Sequence, residues 1–120
     1  MGWCVESADE FSVEFPLLPK AAQEEIAALA ALLEVFGPAL RRPHCDTLEG
    51  SKFANMKELR FSAADGEWRV AFAFDPRRSA ILLVAGDKSG GGEKRLYRTL
   101  IRVADARFGA HLKRLREQER

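Results

Sequence analysis

Between residues 56 and 74 apolar and polar side chains alternate with a period of two, a pattern that a chain satisfies as β-strands and not as helix. "MKELRF" sets Leu59 and Phe61 against Glu58 and Arg60. "EWRVAFAF" sets Trp68, Val70, Phe72 and Phe74 against Glu67, Arg69, Ala71 and Ala73. Ala64-Asp65-Gly66 is a hairpin signal between the two runs, and Asp75-Pro76 opens a second turn. The next run, "AILLVAG", is continuously apolar, as suits a strand with little free surface. Three strands in a meander follow, one face bulky and apolar, the other small and charged.

Helical periods flank the meander. After Pro19, "KAAQEEIAALAALLEVF" is alanine-rich and repeats Ile26, Leu29, Leu32/Leu33 and Phe36 at spacings of three and four, before Gly37-Pro38 stops it. Before it, "GWCV" reads as a first strand, and Ser7 with Glu10 three residues on forms a capping-box pattern for a short helix ending near Pro16. Residues 39–55 read as an irregular connection. From Glu93 onward Tyr97, Ile101, Ala104, Phe108, Leu112 and Leu115 mark a final helix, with Gly109 as a point of interruption. The expected fold is therefore α+β: a small antiparallel twisted sheet, two N-terminal helices packed on its bulky face, and a C-terminal helix. Ala71 and Ala73 then leave the second face shallow and open to an extended ligand.

Length and charge narrow what such a sheet serves. A chain of 120 residues is expected to form one domain, 1–120, with a core that needs no disulfide or metal. Its apolar stretches fall far short of the ~20 residues of a membrane span, and its first residues lack a secretory pattern, so the expected setting is the cytoplasm, with no membrane partner. Cys4 and Cys45 have neither paired nor metal-ligand spacing, and no cofactor is expected. The net charge of +1 hides a division: residues 1–40 carry one base against seven acids, and residues 41–120 carry eighteen bases against eleven acids. Such a bipolar chain suits a polyanion on one part and a different partner on the other.

The stretch "GDKSGGGEKR" follows a strand and precedes a helix, the setting of a phosphate-binding loop. The P-loop pattern demands Lys and Ser/Thr directly after its second glycine, but counting from Gly86 puts Gly92 and Glu93 there. It is not a P-loop, and a cationic glycine loop needs another use.

"GPALRRPHCDTLEGS", "NMKELRF", "WRVAFAFDPRR", and "ILLVAGDKSG" followed by "EKRLY" resemble the RelE/ParE toxin superfamily, in particular its phage-derived HigB-like branch. The likeness runs in order over nearly the whole chain. It implies a RelE-like fold and the toxin of a type II toxin–antitoxin module: a ribosome-dependent, metal-independent endoribonuclease cutting mRNA, silenced by a helix-turn-helix (HigA-like) antitoxin. By the same resemblance Arg69 is the cation at the scissile phosphate, Lys88 a second cation past the fourth strand, Tyr97 a base-stacking residue and Glu58 a general base. Arg60 beside Glu58 would complete an electrostatic clamp, since guanidinium groups suit bidentate contact with phosphate. Lys52, Lys57, Lys94, Arg95 and Arg98 are the residues expected to meet RNA or ribosomal phosphate. Lys88, Tyr97 and His44 all remain open as the acid for the leaving oxygen. Plainer uses compete: Arg69 can pair with Glu58 or Glu67, and Tyr97 can pack between helix and sheet. ParE-like relatives poison DNA gyrase without cutting RNA, and a decayed member would only bind its antitoxin; fold alone does not separate these.

Overall fold

A computed structural model describes residues 2–89 and 91–119. The elements are β1 (Cys4–Ser7), α1 (Asp9–Glu14), a 3-10 turn at Phe15–Leu17, α2 (Lys20–Phe36), β2 (Cys45–Thr47), β3 (Met56–Ala63), β4 (Gly66–Phe74), β5 (Ser79–Asp87) and α3 (Gly92–Gln118). The five strands form one sheet in the order β1-β5-β4-β3-β2. β3, β4 and β5 are the expected antiparallel meander, and β2 extends it antiparallel beside β3. The sheet is mixed rather than wholly antiparallel, because β1 joins the far side of β5 in parallel. Helices α1 and α2 carry the chain from one edge of the sheet to the other.

The turns follow their residues. Ala64 and Asp65 have φ values of 48° and 58°, the two left-handed residues of a tight hairpin whose twist matches its strands. Asp75 closes the next turn by accepting the N–H groups of Arg77 and Ser79 at 2.9 and 3.0 Å. Its other oxygen lies 2.8 Å from His111 Nε2, which ties the turn to α3. α2 begins after Pro19 as its sequence pattern requires. Ser7, by contrast, ends β1, and α1 starts after Ala8 without a side-chain cap.

Ile26, Leu29 and Leu33 of α2 are buried with Leu59, Val70 and Phe72 of the bulky sheet face. The opposite face is not open. α3 packs across it, and Ala71 and Ala73 are fully buried. The small side chains make room for a helix rather than for a ligand. α3 runs unbroken through Gly109, and its buried stripe is Leu96, Leu100, Ala104, Phe108 and Leu115, with Tyr97 and Ile101 beside it.

One irregularity locks the layers together. Between Ala71 and Phe72 the register with β5 shifts, so that Ala71 faces Val84, Phe72 faces Leu82, and Leu83 has no partner. Arg107 of α3 donates to the Leu83 carbonyl at 2.7 Å and to both oxygens of Glu14 on α1 at 2.8 and 2.5 Å. The hydrogen bond from Arg107 holds the Glu14 carboxyl below its ordinary range, against the opposing effect of burial.

Gly37 ends α2 at φ 51° and ψ −133°, and a Cβ there would stand 2.3 Å from Trp3 Nε1. Gly92 also has positive φ, 77°, but open space around it. Gly92→Ala should therefore cost only the ~1–2 kcal/mol of a left-handed residue. Gly37→Ala should add ~1–3 kcal/mol of overpacking against the indole. Thermal melts compare them: equal losses would mean that the Trp3 contact is not a constraint.

Candidate functional site

Alternation along β3 and pairing with β4 put Glu58, Arg60 and Arg69 on one face, with Arg60 directly opposite Arg69 and Glu58 opposite Ala71. On β5 the residue opposite Arg69 is Gly86, where a Cβ would meet Leu96 Cδ1 at 2.8 Å. The missing side chain lets the first turns of α3 settle on the sheet, and Tyr97 follows Leu96 downward. Its hydroxyl donates to Glu58 Oε1 at 2.6 Å and accepts from Arg69 Nε at 3.0 Å. Arg60 Nη1 donates to Glu58 Oε2 at 3.0 Å and lies 3.5 Å from the Tyr97 hydroxyl. Arg69 Nη1 also donates to the Trp68 carbonyl at 2.8 Å.

Glu58 and Arg69 are each only 3% exposed, whereas the Arg60 side chain keeps 21% of its surface. Burying a carboxylate is costly unless it is paired and hydrogen-bonded. Glu58 has both: Arg60 on one oxygen, and on the other Tyr97, with Arg69 Nε 3.7 Å away. Arg69 has a second carboxylate at 3.9 Å in the half-exposed Glu67. Burial and the bond to Glu58 push the Tyr97 phenol up, while Arg69 pulls it down, and the balance is upward. Burial pulls Arg60 down, but Glu58 and Tyr97 together outweigh it and hold the guanidinium above its ordinary value.

At the edge of β3 this network meets solvent. β2 stops opposite Leu59, and the last bond on that side runs from the Arg60 N–H to the His44 carbonyl at 2.9 Å. Beyond it the edge of β3 borders a groove of about 800 Å³. One wall holds the guanidiniums of Arg60, Arg69 and Arg42, the last from the preceding loop together with His44. The other wall is Ala28, Leu29 and Leu32 of α2, with Phe61, and Glu25 and Glu67 add negative charge to the lining.

Of the residues singled out in the sequence, Glu58, Arg60, Arg69 and Tyr97 come together, and both plainer uses of Arg69 and Tyr97 are also realised. Lys88 stands past the end of β5, its N–H donating to the Glu67 carbonyl at 3.1 Å and its Nζ 4.0 Å from Glu93. It is at the same end of the sheet but outside the network. Lys57 points to the other face, into a hollow shared with Arg41, Cys45 and Thr47. Burial there pushes the Cys45 thiol up to about 11. Lys52 is exposed near α3, its N–H on Asp105 and its Nζ 5.5 Å over the Phe53 ring. Lys94, Arg95 and Arg98 are exposed on the first turns of α3. Gly90 of the glycine loop lies outside the described residues. Arg42 and the apolar groove wall were not read from the sequence, because an irregular loop and the flank of a helix carry no periodic signal that joins them.

Comparison with known proteins gives this arrangement its relatives. Residues 14–109 match the family described as "Phage derived protein Gp49-like", and the chain belongs to that family. It is 41% identical over 113 residues to HigB2 of Mycobacterium tuberculosis, a match covering 93% of this chain and 55% of that protein. The chain thus spans about half the length of HigB2. It is 46% identical over 93 residues to HigB3 of the same organism, covering 78% of this chain and 79% of that one. Both relatives are named as toxins. Among solved structures, a free-state double-arginine mutant of E. coli toxin RelE superimposes with a TM-score of 0.60 over 84% of this chain and 95% of that one. With 9% identity, that likeness is one of fold alone.

Because the chain has one tyrosine, its alkaline absorbance change reports Tyr97 alone. The folded phenol keeps its proton above the ordinary range. Its contribution to stability is therefore complete below about pH 10 and is lost as pH rises through the raised value. Glu58→Gln removes an upward influence and should lower the titration midpoint. Arg69→Met removes a downward one and should raise it. A midpoint indifferent to both would break the network as described.

Proposed function

We propose that this chain is the toxin of a type II toxin–antitoxin pair, an endoribonuclease that cuts mRNA on the ribosome without a metal ion. The observation that carries the reading is the pairing of Arg60 and Arg69 in the wall of an open groove, with Glu58 and Tyr97 behind them. The similarity to HigB2 and HigB3 supports it.

Cleaving RNA this way requires removing the 2′-hydroxyl proton, stabilising charge on the phosphorane and protonating the leaving 5′-oxygen. Arg60, the more exposed cation, meets the phosphate; Arg69, fixed by Tyr97 and the Trp68 carbonyl, backs it with a second preorganised charge. Both Glu58 oxygens are already bonded and Glu58 itself lies behind the groove lining, so this carboxylate orients Arg60 and takes the 2′-proton only once Arg60 turns onto the phosphate and frees Oε2. The Tyr97 hydroxyl is committed to its hydrogen bond with Glu58 and Lys88 does not line the groove, which leaves His44 as the acid best situated for the leaving oxygen.

Expressing the protein without an antitoxin should produce new mRNA 5′ ends confined to translated frames. Intact mRNA together with inhibited gyrase supercoiling would overturn the reading in favour of a gyrase poison. In single-turnover cleavage at saturating protein, Arg60→Ala should lose about 10²–10³ in rate. The Lys94→Ala, Arg95→Ala pair, acting on distant phosphates, should cut slowly at low protein and recover at high protein. A wild-type rate from Arg60→Ala would remove Arg60 from the site.

The partner in this reading is a helix-turn-helix antitoxin that binds the acidic first 40 residues. Glu24 and Glu25 are exposed on α2, and Glu25 also lines the groove, so a basic antitoxin segment there would cover the groove mouth. Reversing both charges, Glu24→Lys with Glu25→Lys, should abolish co-purification with the antitoxin; undiminished binding would place the contact elsewhere.

A further inference from the structure

We propose that Phe61 is the base-stacking residue of the groove, holding one unpaired base of a single-stranded RNA while Arg60 and Arg42 hold its phosphates. This rests on the nuclease reading above and adds to it the residue that positions the nucleotide. Stacking on Tyr97, the role implied by resemblance, conflicts with the geometry. Its hydroxyl is bonded to Glu58 and Arg69 beneath α3, and Tyr97 does not line the groove.

Phe61 does. It follows Arg60 on β3 and therefore points to the opposite face of the sheet, yet both residues line the same groove. The groove manages this because β2 has ended and it wraps around the free edge of β3. A nucleotide crossing that edge meets guanidinium on one side and an aromatic ring on the other, and its phosphate and base require those two surfaces. The ring is half-buried and lies parallel to the Trp68 indole, with centroids 6.1 Å apart and planes 4° from parallel. Trp68 is itself fixed by donating Nε1–H to the Ala63 carbonyl at 3.0 Å. A base on Phe61 would extend an existing aromatic pair whose orientation is already set. Ala28 and Leu32 across the groove offer an apolar lid without hydrogen-bonding groups to dictate one base. Arg42 supplies a further cation; its partner Asp46 holds it in an exposed pair that a phosphate can replace at small cost.

Base–aromatic stacking is worth roughly 5- to 150-fold in binding. The test uses ribosomes programmed with a defined codon in the decoding site, with cleavage followed across all four bases at each codon position. Phe61→Leu should raise the protein concentration for half-maximal cleavage by that factor and flatten the differences among bases, while Phe61→Trp should retain both. For the wild-type protein, an abasic nucleotide at the stacked position should produce the same loss, a measurement that does not depend on the variant folding. If Phe61→Leu keeps the wild-type base dependence, or the abasic substrate is cut as well as the natural one, the assignment is overturned. If wild-type protein cuts no programmed mRNA, the nuclease reading itself falls, and Phe61 loses the role with it.

Discussion

Glu58 is a charge taken out of water, and much of the molecule is arranged around that fact. A carboxylate 3% exposed has to find its partners inside the protein. Two arginines from the same pair of strands and one phenol from another layer supply them. The phenol arrives only because α3 lies close, and α3 lies close only because Gly86, Ala71 and Ala73 keep the sheet surface low. Small residues on β4 and β5 thus determine whether the ionic group on β3 is satisfied. The same closeness buries Arg69, so that of the two facing guanidiniums only Arg60 keeps substantial contact with solvent.

Arg107 performs a similar office at the other edge. A strand bulge leaves the Leu83 carbonyl without a ladder partner, and a buried carbonyl in that position requires a donor. The guanidinium reaches it and still has hydrogens for Glu14, so one side chain joins α1, β5 and α3. Both arrangements use arginine where its planar fork serves several acceptors at once.

Much of this was legible in the residues. The period of two gave the meander and its faces, and hence the alignment of Glu58, Arg60 and Arg69; alanine content and i, i+3, i+4 spacing gave α2. The place of α3 was not legible. Amphipathicity states that a helix has an apolar side, but it does not say which surface that side covers. Ala71 and Ala73 read equally well as space for a ligand and as a seat for a helix. A stripe shifted by one residue, Leu96 rather than Tyr97, was enough to turn an expected stacking residue into a partly buried hydrogen-bonding one. β2 has three residues, too few for any period, and the parallel pairing of β1 depends on a partner seventy-five residues along the chain, from Cys4 to Ser79.

That pairing also bears on how the fold closes as the chain is made. In a growing polypeptide β1 emerges well before β5, the strand it joins, and the salt bridge that holds the following helix waits for Arg107. The meander closes through neighbours in sequence, at small loop entropy. β1, by contrast, stays without its β5 partner until some seventy-five further residues have been synthesised. Glu58 waits too, since Tyr97 comes thirty-nine residues after it. The strand β1 is therefore completed by β5 and the buried carboxylate by α3, and a nascent chain lacks the fixed pair of Arg60 and Arg69 until α3 docks.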